Sequence, residues 1–187
     1  MPRPARPELT PVTEPGGSRA LTPGERGLAA DVFGDALAPD PVRLHRAKWW
    51  MWQPAWVAMA PDGHVWFHPN GTDWSEDFAA EPLAARGHFV HELVHVWQHQ
   101  QGIRLPWRRL PFARYRYLPL APGPPFHAYG IEQQAEIVRE AYLLAAGWRL
   151  PGRPPLAAYQ ALLPFASALS GRAQAGIEGK GSSSAMR

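Results

Sequence analysis

The chain runs to 187 residues, 45% of them hydrophobic and 11% aromatic, with a formal net charge of +3. That is the size and composition of one globular domain with a proper core, and the charge is too weak and scattered to point to nucleic acid. There is no cysteine, which excludes disulfides, thiolate metal sites and a cysteine nucleophile.

Residues 1–20 carry Pro2, Pro4, Pro7, Pro11 and Pro15 and read as a disordered, Pro-rich tail. They lack the apolar centre of a secretory signal peptide, and no stretch of the chain reaches the length of a membrane span. The expected location is therefore the cytoplasm, or outside the cell by a route that cleaves no signal, and no membrane partner is expected. Order should begin at Leu21-Thr22-Pro23-Gly24-Glu25, where Thr22 suits an N-cap, Pro23 the first helical position and Glu25 the far side of a capping box. That helix turns Leu28, Ala29, Val32 and Phe33 inward and stops at Gly34. Val42 to His45 alternates as a short strand. After Trp49, Trp50 and Trp52, the runs 55–60 and 64–68 flank a Pro61-Asp62-Gly63 turn and predict a β-hairpin. His64 and His68 share its outer face with Trp66 and read as solvated there, although such a strand could lie along a cleft and pair with an extended peptide.

Helical pattern returns near Phe78 to Ala85 and runs into the stretch from His88 to Gln101. There Phe89, Val90, Leu93, Val94, Val96 and Trp97 fall opposite His91 and His95 on a helical wheel, so one face should be core and the other should point into a cleft. Gly102 suits the helix end. The connection 103–127 is broken by prolines and by Arg104, Arg108, Arg109, Arg114 and Arg116, which read as a solvated loop. A helix from Tyr129-Gly130 to Ala146 follows, with Glu132, Glu136 and Glu140 on one face. A last helix over 156–169 is interrupted near Pro164, and residues 171–187 are Gly/Ser-rich and disordered. The domain thus spans 21–170.

His91-Glu92-Leu93-Val94-His95 is an H-E-x-x-H pattern. Residues four apart share a helix face, so both imidazoles can reach one metal ion, while Glu92 sits on the flank as a base for a metal-activated water. A catalytic zinc needs a third protein ligand and an open fourth position. The extended pattern with glycine at 98 and histidine at 101 is excluded, because Gln98 and Gln101 stand there. A glutamate from the following helix is the other common solution. Glu132 is the first choice, with Glu136 one turn on as an acceptor for a ligand histidine's second ring nitrogen, and the reverse assignment remains open. His88 and His99 are rivals, but each shares the helix with His91 and His95. Tyr129 is the candidate for stabilising an oxyanion, with His127, Tyr115 and Tyr117 behind it.

The run His91 to Gln100, followed by Tyr129-Gly130-Ile131-Glu132-Gln133-Gln134-Ala135-Glu136, resembles a group of bacterial metallopeptidases that are gluzincin-like and often labelled Vgr-related for their association with type VI secretion genes. Leu21 to Glu25 and Val32-Phe33-Gly34 are similar to the same group and to toxin-associated zincin domains. The resemblance covers about residues 20–150. It implies a zincin-like α+β fold: a short antiparallel sheet or hairpin packed on the active-site helix, with the glutamate-bearing helix after it. It also implies Zn²⁺ on His91, His95 and a glutamate of the 132–136 segment, with Glu92 as acid and base. The expected function is hydrolysis of a peptide or peptide-like amide, with an association with a secretion system. The alternative is a non-catalytic zincin-fold binding or adaptor protein with a structural metal site. Intact Glu92 favours the enzyme, since a structural site has no use for that carboxylate.

Overall fold

The computed structural model describes residues 12–103, 117–120, 123–165 and 169. The expected tails at 1–11 and 171–187, most of the arginine-rich connection and Tyr115 lie outside the described residues.

Strand β1 (Ser18–Ala20) precedes helix α1 (Pro23–Phe33). The start of α1 follows from its sequence: the Thr22 hydroxyl accepts from the Glu25 N–H, and the Glu25 carboxylate accepts from the Thr22 N–H. Gly34 ends the helix at φ +56°, a backbone region that disfavours a side chain. Strands β2 (Arg43–His45) and β3 (Val65–Trp66) complete a three-stranded sheet of order β1-β2-β3. The first pair is antiparallel and the second parallel. Order therefore reaches into the segment read as tail, because Ser18, Arg19 and Ala20 find ladder partners in His45, Leu44 and Arg43.

The expected hairpin shrinks to a single antiparallel bridge, Met59 with Trp66, closed by N–H···O bonds of 3.1 and 2.7 Å. Trp66 is committed on its other side to β2, and residues 49–57 turn instead of extending. His64 Nδ1 accepts from the Arg43 N–H and His68 Nδ1 from the Asn70 N–H, so both histidines brace local backbone.

Helix α2 (Leu83–Gln100) is separated from a short 3-10 turn at Phe78–Ala80 by Glu81 and Pro82. The continuous pattern expected from 78 breaks there, since proline disfavours helical backbone in the residue before it. Helix α3 (Ile131–Ala145) packs along α2, and α4 (Leu156–Gln160) on α3. The last helix is shorter than expected, and residues 161–165 beyond it turn. Gly87 brings α2 and α3 close, as a Cβ there would lie 2.9 Å from Leu143 Cδ2. Phe89, Val90, Leu93, Val94 and Val96 are fully buried, and Phe67, Phe78 and Phe89 form a stacked column joining the sheet side to α2. Trp97 is only half-buried.

Candidate metal centre

At His91 and His95 the histidine face of α2 packs against α3, whereas His88 on the same face lines a groove and His99 is exposed. His95 is fully buried and Glu92 nearly so; the His91 side chain keeps 12% exposure and that of Glu132 8%. Glu132 stands in the first turn of α3, and its Oε2 lies 3.3 Å from His91 Nε2 and 3.3 Å from His95 Nε2. Among the described residues these three form the one group of histidines and carboxylates whose ligand atoms all fall within 4.8 Å of one another. Atoms held about 2.0–2.1 Å from a tetrahedral ion lie roughly 3.3–3.4 Å apart, so the spacing about Glu132 is that of a zinc coordination shell.

The polar wiring around the three says which atoms face inward. Gln98 is fully buried; its Nε2 donates to the Ile131 carbonyl (3.0 Å) and to Gln134 Oε1 (2.9 Å), and Gln134 Nε2 in turn donates to the Tyr129 carbonyl (2.8 Å). A carbonyl only accepts, so the atom facing it is the amide nitrogen, and the other, Oε1, lies 2.8 Å from His95 Nδ1. The proton of a neutral His95 therefore sits on Nδ1, leaving the Nε2 lone pair turned towards Glu132 with no hydrogen-bond partner. Two lone-pair-bearing atoms at this distance can share a proton or a cation. This orphaned nitrogen, and the chemistry of two imidazoles with one carboxylate, fit a bound zinc ion.

His91 is held from both ends, with Glu136 Oε2 3.6 Å from its Nδ1 and Glu132 at its Nε2. Burial works to lower its pKa, but the two carboxylates, with the charge of Glu92 behind them, push it up to about 9. Burial works to raise the Glu136 pKa, and His91 and Arg139 overcome it to hold the carboxyl below its ordinary value. Glu132 thus stands between the two imidazole Nε2 atoms, and Glu136 against the other ring nitrogen of His91.

The remaining expected residues part ways. Glu92 is buried with its Oε2 unpartnered. Tyr129 is buried too; its hydroxyl lies 2.7 Å from where a Gly123 Cβ would be and makes no hydrogen bond. Tyr117 donates to Glu140 and shares a contact with Tyr159, in a separate buried cluster that Arg153 closes at 2.9 Å. His127 is exposed, and His99 packs near Gly63. His88 lines a groove of about 490 Å³ with Trp56, Asp73, Trp74, Phe78 and Glu81, and its ring lies 6.4 Å from that of His91. Sequence reasoning missed Gln98 and Gln134. The signal was their position: a glutamine at i+3 from His95, and another two residues after Glu132.

Fold and site together define a small α+β domain carrying a buried His-His-Glu cluster on two packed helices. No protein-family model matches the chain. It is similar to the effector domain of VgrG2b from Pseudomonas aeruginosa, a solved structure, with 34% identity and a TM-score of 0.61 over 74% of this chain and 78% of that one. It is also 39% identical, over 136 residues, to the type VI secretion system spike protein VgrG2b of the same organism, matching 67% of this chain but 13% of the spike protein's length. The chain belongs to the family of the VgrG2b effector domain, which links it to type VI secretion. The secretion-linked half of the resemblance holds; nothing in these likenesses names a peptidase.

Proposed function

We propose that this protein is a zinc-dependent peptidase of zincin-like fold that serves as a type VI secretion effector. The observation that carries the reading is the convergence of His91, His95 and Glu132, with the bare Nε2 of His95 buried among them and the unpartnered Oε2 of Glu92 one residue from His91. Kinship with the VgrG2b effector domain supports the effector role.

His91, His95 and Glu132 would hold the zinc and leave its fourth position open. When bound, the ion supplies a Lewis acid that acidifies a water and polarises a carbonyl. Glu92 takes a proton from the attacking water and passes it to the leaving nitrogen. Gln98 keeps the His95 proton on Nδ1, and Glu136 orients His91 from behind. The Gln98–Gln134 bridge closes the inner side of the site, and the groove lined by His88, whose ring lies 6.4 Å from that of His91, is where an extended peptide would lie.

The test is zinc content and cleavage of a peptide library by wild type, Glu92→Gln and Glu132→Ala. Wild type should hold one zinc per chain and cleave. Glu92→Gln should keep the zinc and lose cleavage, and Glu132→Ala should lose both. Zinc without cleavage in the wild type would favour the binding or adaptor reading.

A further inference from the structure

Large apolar side chains are exposed in one place above all: Trp49, Trp50, Met51, Trp52 and Trp56 are 42, 46, 71, 72 and 76% exposed. The loop that displays them is built. Gln53, buried beneath it, accepts from the Trp49 N–H (2.8 Å) and donates to the carbonyls of Val57 (2.8 Å) and Trp66 (3.2 Å). Trp49 packs edge-on against Trp66, and Trp50 against Trp52. A buried amide thus holds the turn closed from within while the indoles stay in water. Apolar surface kept contiguous and exposed by an ordered scaffold marks an interaction face.

The chemistry of the face selects the partner. Its apolar groups are mainly indoles, which combine an apolar body with one N–H donor and settle at the headgroup level of a bilayer. The segment 41–61 contains Arg43, Arg46 and Lys48 and no aspartate or glutamate. Arg46 donates to the Thr13 carbonyl, and Arg43, itself at the surface, is tied to Ser18. Lys48 is left at the surface, its Nζ 3.3 Å from the Met51 carbonyl, beside the most exposed part of the loop. Met51 and Trp52 stand out into solvent, which suits insertion into a soft phase.

We propose that residues 48–56 dock this protein onto the surface of an anionic lipid bilayer, with the indoles at the headgroup level and Lys48 on lipid phosphate. No helix among the described residues is long and apolar enough to cross a membrane, so the attachment is peripheral. The sequence expectation of no membrane partner rested on the absence of a span and does not bear on surface docking. The inference is independent of the metal site.

The experiment is co-sedimentation of the full chain with vesicles of phosphatidylcholine alone and of phosphatidylcholine with phosphatidylglycerol. The variants are Lys48→Gln and the triple change Trp50→Ala, Met51→Ser, Trp52→Ala. Wild type should pellet with the anionic vesicles, and its tryptophan emission should shift to the blue. The triple variant should lose partitioning at least about tenfold while keeping its melting temperature, since the altered side chains are exposed. Lys48→Gln should bind anionic vesicles about fivefold more weakly and zwitterionic ones unchanged. Wild type left in the supernatant of both vesicle types would overturn the proposal. So would concentration-dependent self-association, abolished by the triple change, without vesicle binding: the face would then be a contact between copies of the chain.

Discussion

Replacing Gln98 with leucine tests whether the buried glutamine bridge tunes the metal site or merely fills space. The change keeps approximate volume but removes the acceptor for His95 Nδ1–H and both donors of the amide. The Ile131 carbonyl retains its helical partner, so two buried groups lose theirs: the His95 ring N–H and Gln134 Oε1. At about 1–2 kcal/mol for each, the metal-free protein should lose about 2–4 kcal/mol of stability. Freed from Gln98, the His95 ring no longer holds its tautomer or its aim, and loss of such an outer partner typically weakens metal binding about 10–100-fold. Urea unfolding of the metal-free protein reads the first quantity, and zinc titration against a competing chelator reads the second. Zinc affinity within about twofold of wild type, alongside the expected loss of stability, would refute the claim that Gln98 sets the His95 tautomer. It would leave a structural bridge between α2 and α3.

The order of the two glutamates separates cleanly by metal content: Glu132→Ala should abolish zinc binding, whereas Glu136→Ala should retain one zinc at about 10–100-fold lower affinity. Glu140 accepts from Tyr117, Tyr159 and half-exposed Arg153. Glu140→Leu should destabilise the fold by about 3 kcal/mol in denaturant unfolding, with zinc content unchanged, because it leaves the Tyr117 and Tyr159 hydroxyls only each other to bond and takes the ion-pair partner from Arg153. Burial works to raise the Glu76 carboxyl, but hydrogen bonds from Trp74 and Thr13, and the charge of Arg19, hold it below its ordinary value of 4.5. A carboxyl with a depressed folded pKa adds stability that is present above 4.5 and lost as the pH falls through the lower value. The melting temperature of Glu76→Gln should therefore lie below that of wild type near neutral pH and converge on it in acid.

What the sequence made legible were the features written in neighbouring residues. The capping box at Thr22 and Glu25 and the stop at Gly34 are local and came through intact. So did the approach of His91 to His95, which needs only helix geometry; helix phase left Glu132 and Glu136 on one face, and it is the packing of α3 on α2 that brings Glu132 Oε2 to 3.3 Å from both Nε2 atoms. The failures are tertiary. Strand β1 forms because β2 offers it an edge, and no alternation within Ser18-Arg19-Ala20 announces that. The hairpin gave way because Trp66 is shared between β2 and the Met59 bridge. Glu140 sits in phase with Glu132 and Glu136, yet the ends of α3 meet different neighbours: the first turn faces the histidines, and the later one faces Tyr117 and Tyr159.

Burial of the site on one side carries a consequence for access. His95 has no exposure, and the groups behind it, Gln98 and Gln134, use their amides on each other, on His95 and on the backbone of the 129–131 segment. Any ligand approaching from that side would have to break a closed hydrogen-bond chain in a low-dielectric interior, where each broken partner is costly. His91 keeps some exposure, and its ring stands 6.4 Å from His88, which lines the groove shared with Trp56 and Phe78. The same helix thus packs His95 against a sealed side and sets His88, a groove-lining residue, close to His91. Where that groove serves the proposed zinc site, a bulky residue at His88 should hinder a peptide substrate while leaving metal affinity intact. A His88→Trp variant with normal zinc content and unimpaired cleavage would place the entrance elsewhere.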